Sequence, residues 1–132
     1  MKGYVLGISG GVDSTVVGKL CQIACSQLRQ KGYNAQFIAM RLPSGIQFDE
    51  QDAQAALQFI NPDKLITVNI GETANILSNQ GVQEYNKLEV NKLNENEIDF
   101  NKGNIKARLR MIAQYQVASM YKALVIGTDH NA

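Results

Sequence analysis

Tyr4-Val-Leu-Gly-Ile8 runs straight into Ser9-Gly-Gly-Val-Asp-Ser14, and a helical pattern begins at Ser14. The first five residues form an apolar run of strand length, which the glycine pair ends sharply. Val16, Leu20, Ile23 and Gln27 or Leu28 then fall near 3.6-residue spacing and predict a helix. Gly32 is placed to cap its C-terminus, after Arg29 and Lys31 in the last turn.

The same alternation continues outward from this unit. Ala35-Gln-Phe-Ile-Ala-Met40 reads as a second buried strand, broken by Pro43-Ser-Gly45. Asp49 is placed to N-cap a second helix with Ala53, Ala56, Leu57 and Ile60 on one apolar face, and Asn61-Pro62 stops it. Lys64-Leu-Ile-Thr-Val-Asn69 is a third strand, rich in β-branched residues. Residues 71–100 are less regular: a short helix around 74–77, then a polar stretch, 86–102, read as an exposed connector with helical pieces. Asn104 is expected to cap a long helix carrying Ile105, Leu109, Ile112 and Tyr115. Leu124-Val-Ile126 is the fourth strand, closing with Gly127-Thr-Asp-His130. Strands alternating with helices predict an α/β fold: a Rossmann-like, mostly parallel sheet with helices on both faces.

Composition narrows the function classes. The 132 residues suit one domain, with 45% hydrophobic and 19% charged residues. Thirteen basic and 12 acidic side chains leave a net charge of +1, without the basic excess of a nucleic-acid binder. No apolar run approaches the roughly 18 residues that span a bilayer, so no membrane partner is expected. The N-terminus lacks the apolar length of a secretory signal. Cys21 and Cys25 lie one helical turn apart, a poor geometry for a disulfide, and with a single His they are too few for a zinc site. Ordinary buried thiols and a cytoplasmic setting are the expectation.

The loop carries the chemistry. Glycines let the backbone approach an anion without a Cβ in the way, and a helix start supplies N–H donors and partial positive charge. Ser9 and Ser14 add hydroxyls. Asp13 would repel a phosphate unless a divalent cation lay between them, which implies magnesium. No Gly-Lys-Ser/Thr follows the turn, and no Gly-x-Gly-x-x-Gly is present, so this is neither a Walker A loop nor a dinucleotide fingerprint. A plain glycine turn with Asp13 or Ser14 as N-cap remains the competing interpretation.

Ser9-Gly-Gly-Val-Asp-Ser14 resembles the pyrophosphate loop of the N-type ATP pyrophosphatases, which adenylate a substrate and release pyrophosphate. GMP synthetases, tRNA-thiolating enzymes, asparagine synthetases and NAD synthetases share it. Arg41-Leu-Pro-Ser-Gly-Ile-Gln-Phe-Asp-Glu-Gln-Asp52, Gly103-Asn-Ile-Lys-Ala-Arg-Leu-Arg-Met-Ile-Ala-Gln-Tyr115 and Gly127-Thr-Asp-His-Asn-Ala132 resemble, in order, segments of the ammonia-dependent NAD synthetases. The four segments together are far more specific than any one.

The resemblance implies a ligase that amidates deamido-NAD with ammonia through an adenylated intermediate, releasing AMP and pyrophosphate. It implies that Gly7, Ile8, Ser9, Gly10, Gly11, Val12, Asp13 and Ser14 bind ATP, with Asp13 the magnesium ligand. Arg41, Gln47 and Thr128 would also contact ATP, and Arg108 would bind deamido-NAD. Without the resemblance, Arg41 still ends a buried strand, where a charged head faces the ligand crevice, with a solvated loop arginine as the lesser alternative; Arg108 is equally an arginine lying along a helix edge. No catalytic residue is assigned; Asp129 and His130 suit a cap and hydrogen-bond pair, and Arg110 is read as surface.

Members of that family are longer, with a segment before the first strand and a long one after the fourth. The chain is therefore expected to be one domain over residues 1–132, incomplete at both ends. The acid that follows Thr-Asp-His as a second magnesium ligand has no counterpart here. A homodimer is expected of the full length. Alternatives are another adenylating member, of GMP synthetase or tRNA thiolation type, and a non-catalytic nucleotide-binding fragment. Nothing resembles a glutaminase domain, so free ammonia is the expected nitrogen donor.

Overall fold

The computed structural model of the protein describes residues 2–45 and 50–127. Its elements are β1 (Gly3–Gly7), α1 (Val12–Gln30), β2 (Gln36–Arg41), α2 (Glu50–Ile60), β3 (Lys64–Thr67), α3 (Gly71–Leu88), α4 (Glu95–Tyr121) and β4 (Leu124–Val125). The strands form one parallel sheet in the order β3-β2-β1-β4. Val5 stands opposite Ile38 on one side and Val125 on the other, so β1 is central and the chain order reverses across it. Such a reversal leaves a crevice at the strands' carboxyl ends.

The period-2 alternation of strand side chains divides the core in two. Leu6, Ile8, Phe37 and Ala39 face Cys21 and Cys25 of α1 and Ala56, Leu57 and Ile60 of α2. Val5, Ile38, Met40 and Leu42 face Ala113, Val117 and Ala118 of α4. Phe37, Ile38, Ala39 and Met40 are fully buried, as a parallel strand covered on both faces should be. Each of the three larger side chains contributes on the order of 1.5–3 kcal/mol by leaving water. The α2 face is the expected one: Ala53, Ala56, Leu57 and Ile60 are its buried residues. Gly32 follows the C-cap of α1 at φ +91°, a conformation glycine adopts without strain.

Two helix faces differ from expectation. On α1, Val16, Leu20 and Ile23 are 51%, 60% and 44% exposed, whereas Ser14, Gly18, Cys21, Gln22 and Cys25 are buried. The cause is close approach: a Cβ on Gly18 would lie 2.6 Å from Ile60 Cδ1. On α4, Ile112 and Tyr115 are exposed and Ile105 and Leu109 half-buried, while Ala113, Val117 and Ala118 meet the sheet. In both helices small residues, rather than the largest apolar ones, set the contact.

Residues 71–100 also correct the sequence-based expectation. They form the 18-residue α3 and the first turns of α4 instead of a short helix and an exposed connector. Helix α3 packs against α4 and buries only Gly71, Ala74 and Ser78, so it shows no core periodicity. Asn94, not Asn104, caps α4: Asn94 Oδ1 accepts from Glu97 N (2.8 Å), and Glu97 Oε1 accepts from Asn94 N (3.1 Å). This reciprocal capping box was legible as Asn-x-x-Glu. Asp49, the expected cap of α2, lies outside the described residues.

A polar cluster fastens the amino-terminal end of the sheet. Asp63 Oδ2 accepts from Phe37 N (2.7 Å) and Arg29 Nη1 (2.8 Å), and Oδ1 accepts from Gln22 Nε2 (3.1 Å). Partial burial alone would raise the Asp63 carboxyl; these donors outweigh it and hold the group below its ordinary value. Nearby, Cys21 and Cys25 are free and buried. Burial, then the neighbouring Cys25, pushes the Cys21 thiol up to about 11, and burial raises Cys25 as well.

Candidate nucleotide site

The loop between β1 and α1 is held open by its own hydroxyls. Ser14 Oγ accepts from Ser9 N (3.3 Å) and donates to Gly11 O (3.3 Å), while Ser9 Oγ accepts from Gly11 N (3.2 Å). The two hydroxyl oxygens are 3.2 Å apart. Ser14 is 5% exposed and anchors the turn, whereas Gly11, Val12 and Asp13 are exposed. Gly10 adopts φ +96°, and a Cβ there would lie 2.8 Å from Ala53 N, so both conformation and contact with α2 require glycine. Gly11 is the N-cap of α1 and supplies no side-chain cap, leaving the first N–H groups of a 19-residue helix facing the loop.

Asp13 stands in that first turn and makes no hydrogen bond or ion pair among the described residues. An unpaired carboxylate beside anion-binding donors fits a magnesium ion shared with phosphates, since that ion takes one or two carboxylates and completes its shell with substrate and water. No group of three or more His, Cys, Asp or Glu side chains suited to holding a metal occurs among the described residues.

Beside the loop, at the carboxyl ends of β1 and β2, lies a crevice of about 340 Å³. Gly7, Ile8 and Ser9 form one wall, and Met40, Arg41 and Leu42 form the second. Helix α4 closes it with Arg110 and Gln114. Arg41 is 6% exposed; its Nη1 donates to Ile8 O and its Nη2 pairs with Glu50 Oε2 at 2.8 Å. Its buried Nε has no partner among the described residues. Gln54 and Arg41 together hold the Glu50 carboxyl below its usual value.

The structure thus brings Gly7, Ile8, Ser9 and Arg41 to one crevice, with residues 10–14 continuing from its rim. Arg108 is elsewhere: it is exposed, and its Nη1 donates to Asn104 O within α4 (3.3 Å). Arg110, expected at the surface, is half-buried and donates from Nε to Leu42 O (2.9 Å). Gln47, Thr128, Asp129 and His130 lie outside the described residues. The sequence alone gives neither Arg110 nor Gln114 a place in the site, although they share a helical stripe with Ala113 and Val117 at i, i+3, i+4 and i+7.

A parallel sheet, a strand–loop–helix anion cradle and a crevice at the strands' carboxyl ends define a Rossmann-like protein of the adenine nucleotide alpha hydrolase type. Within that class the chain belongs to the NAD synthase family, whose model matches residues 1–132. It is similar to the NH3-dependent NAD+ synthetase of Mycobacteroides abscessus, at 50% identity over 131 residues. The Bacillus cereus enzyme of the same name is 52% identical over 131 residues. Each match covers 99% of this chain and 45% of the relative, so the chain spans about half the length of those proteins. The crystal structure of an NAD+ synthetase from Burkholderia pseudomallei superimposes with a TM-score of 0.84 at 46% identity, over 96% of this chain and 52% of that one.

Proposed function

We propose that this chain carries the ATP-activating half of an ammonia-dependent NAD synthetase. The observation that supports it best is the continuity of the open glycine–serine loop with the Arg41 crevice. In this reaction a nicotinate carboxylate oxygen of deamido-NAD attacks the α-phosphorus of ATP. The bond to the β-phosphate oxygen breaks, and pyrophosphate leaves. Ammonia then attacks the acyl carbon, loses a proton, and expels AMP to give the amide of NAD. A carboxylate is a poor acyl donor, and AMP provides the leaving group.

Residues 9–14 would bind the phosphates through loop N–H groups and the Ser9 and Ser14 hydroxyls. Magnesium, held by Asp13, would neutralise charge on the phosphates when bound. Arg41, with both terminal nitrogens anchored and an Nε that has no partner among the described residues, would hold the nucleotide in place. Gln47 and Thr128 would add contacts to ATP, and Arg108 would meet deamido-NAD on the outer side of α4. That side also bears Met111, Ile112 and Tyr115, each more than half exposed, which supports pairing of two chains in the full-length enzyme. No helix among the described residues is long and apolar enough to cross a membrane. The buried free thiols fit a reducing compartment such as the cytoplasm.

The test is NAD formation from Mg-ATP, ammonium and deamido-NAD, with xanthylate as competing substrate. NAD produced from deamido-NAD alone, and lost with Asp13→Asn, is the expected result. Turnover of xanthylate instead would assign the chain to another adenylating enzyme. ATP binding by a folded chain without any amide product would reduce it to a nucleotide-binding fragment.

A further inference from the structure

From the chemistry of the crevice wall we infer that Gln114 selects adenine, an inference that rests on the nucleotide assignment above. The parts of the crevice lining differ in kind. The loop and Arg41 present N–H groups, hydroxyls and a guanidinium, which suit phosphates. The rest of the lining includes Leu42 of the β2 wall and, on α4, the Gln114 carboxamide and Arg110, whose Nε is turned to the Leu42 carbonyl. An apolar side chain, Leu42, beside a neutral amide suits a nucleobase, and about 340 Å³ lies in the range of small-ligand sites.

Gln114 is half-buried, yet it forms no hydrogen bond with any described residue. The backbone makes room for it: a Cβ on Gly7 would lie 3.2 Å from Gln114 Nε2 and 3.5 Å from Leu42 Cδ1. A side chain at position 7 would therefore crowd the carboxamide at the mouth of β1. One turn earlier Arg110 is tied to the carbonyl of Leu42, which leaves Gln114 as the neutral donor–acceptor pair on this wall.

A carboxamide offers a carbonyl acceptor beside an N–H donor. Adenine answers with the N6 amino donor beside the N7 acceptor, whereas guanine presents two acceptors, O6 and N7. Gln114 would satisfy both adenine groups and leave its own oxygen facing O6 of guanine. Gln114 therefore acts as a specificity-determining residue, with no part in the bond-forming steps.

The experiment is calorimetric titration of the 132-residue chain with Mg-ATP, Mg-GTP and inorganic pyrophosphate, for wild type, Gln114→Met and Gln114→Glu. Methionine keeps the length without the amide; glutamate keeps the shape and removes the donor. Wild type should bind ATP about tenfold more tightly than GTP, and both variants should erase that ratio while leaving pyrophosphate affinity and thermal unfolding unchanged. Equal wild-type affinity for ATP and GTP, with pyrophosphate displacing both, would overturn base selection and leave the phosphate loop intact. Equal weakening of all three ligands in the variants would also overturn it, as the sign of a merely structural side chain. Failure of wild type to bind any of the three would overturn the nucleotide assignment and this inference with it.

Discussion

Helices α1 and α4 cover opposite faces of the same sheet, and they do so by the same device. Helix α1 meets it through Gly18, Cys21 and Cys25, and α4 through Ala113, Val117 and Ala118. Both carry larger apolar side chains outward: Leu20 and Ile23 on one, Met111 and Ile112 on the other. They differ in what surrounds the contact. On α1 the small residues are pressed by Ile60 and Ile8, and a contiguous loop motif opens the helix. On α4 the first turns extend past the sheet to α3, and the site residues are dispersed through the helix. Close approach is therefore set by absent volume, which apolar periodicity does not record.

The sharpest way to break this comparison is to add volume at the two contacts. Gly18→Leu and Ala113→Leu should each destabilise by about 3 kcal/mol in urea unfolding, as overpacking does. Leu20→Ser and Ile112→Ser, on the outward faces, should change stability by less than about 0.5 kcal/mol. Reversed magnitudes would mean that the inward and outward faces have been exchanged.

A smaller effect separates the ends of α1. Because Asp63 is held below its ordinary value in the folded state, its contribution is present above the unfolded pKa, near 4, and is lost as pH falls through the folded value. Asp63→Asn should cost about 1 kcal/mol at neutral pH, after allowing for solvent screening of its exposed edge. The gap from wild type should close on acidification below about pH 4; a gap independent of pH would mean that charge is not involved. On α4, Asn94→Ala should lower the unfolding free energy by about 1 kcal/mol, the usual worth of an N-cap. Gly103 has nothing within 4 Å of a built Cβ, so Gly103→Ala should raise stability by about 0.5–1 kcal/mol. A loss there would show that α4 is more crowded at this turn than at Ala113.

What could be read from the chain alone follows the same division. The strand–loop–helix unit around Ser9–Ser14 was legible because its geometry is enforced by neighbours in sequence: glycines, hydroxyls and a helix start. The α2 face was legible because its buried residues form an ordinary apolar stripe. The inner faces of α1 and α4 were not, since Gly18, Ala113 and Ala118 are only weakly apolar although they are buried where the helices meet their neighbours. Helix α3 was read as fragmentary because it packs on another helix and needs little apolar surface. Arg110 and Gln114 reach the crevice only through the pairing of β1 with β2 and the docking of α4, which no local spacing reveals. Arg41 was legible because it ends a buried strand, the one place where a charged side chain on such a strand can meet a ligand.

The two thiols of α1 give the packed face a reporter that requires no label. Only the thiolate reacts with an alkylating reagent, and burial both shields these sulfurs and disfavours their ionisation. Their modification at neutral pH must therefore wait for α1 to lift from the sheet. The rate at which Cys25, fully enclosed, takes up iodoacetamide is a clock for every opening that exposes this face, from local lifting of α1 to unfolding of the whole domain.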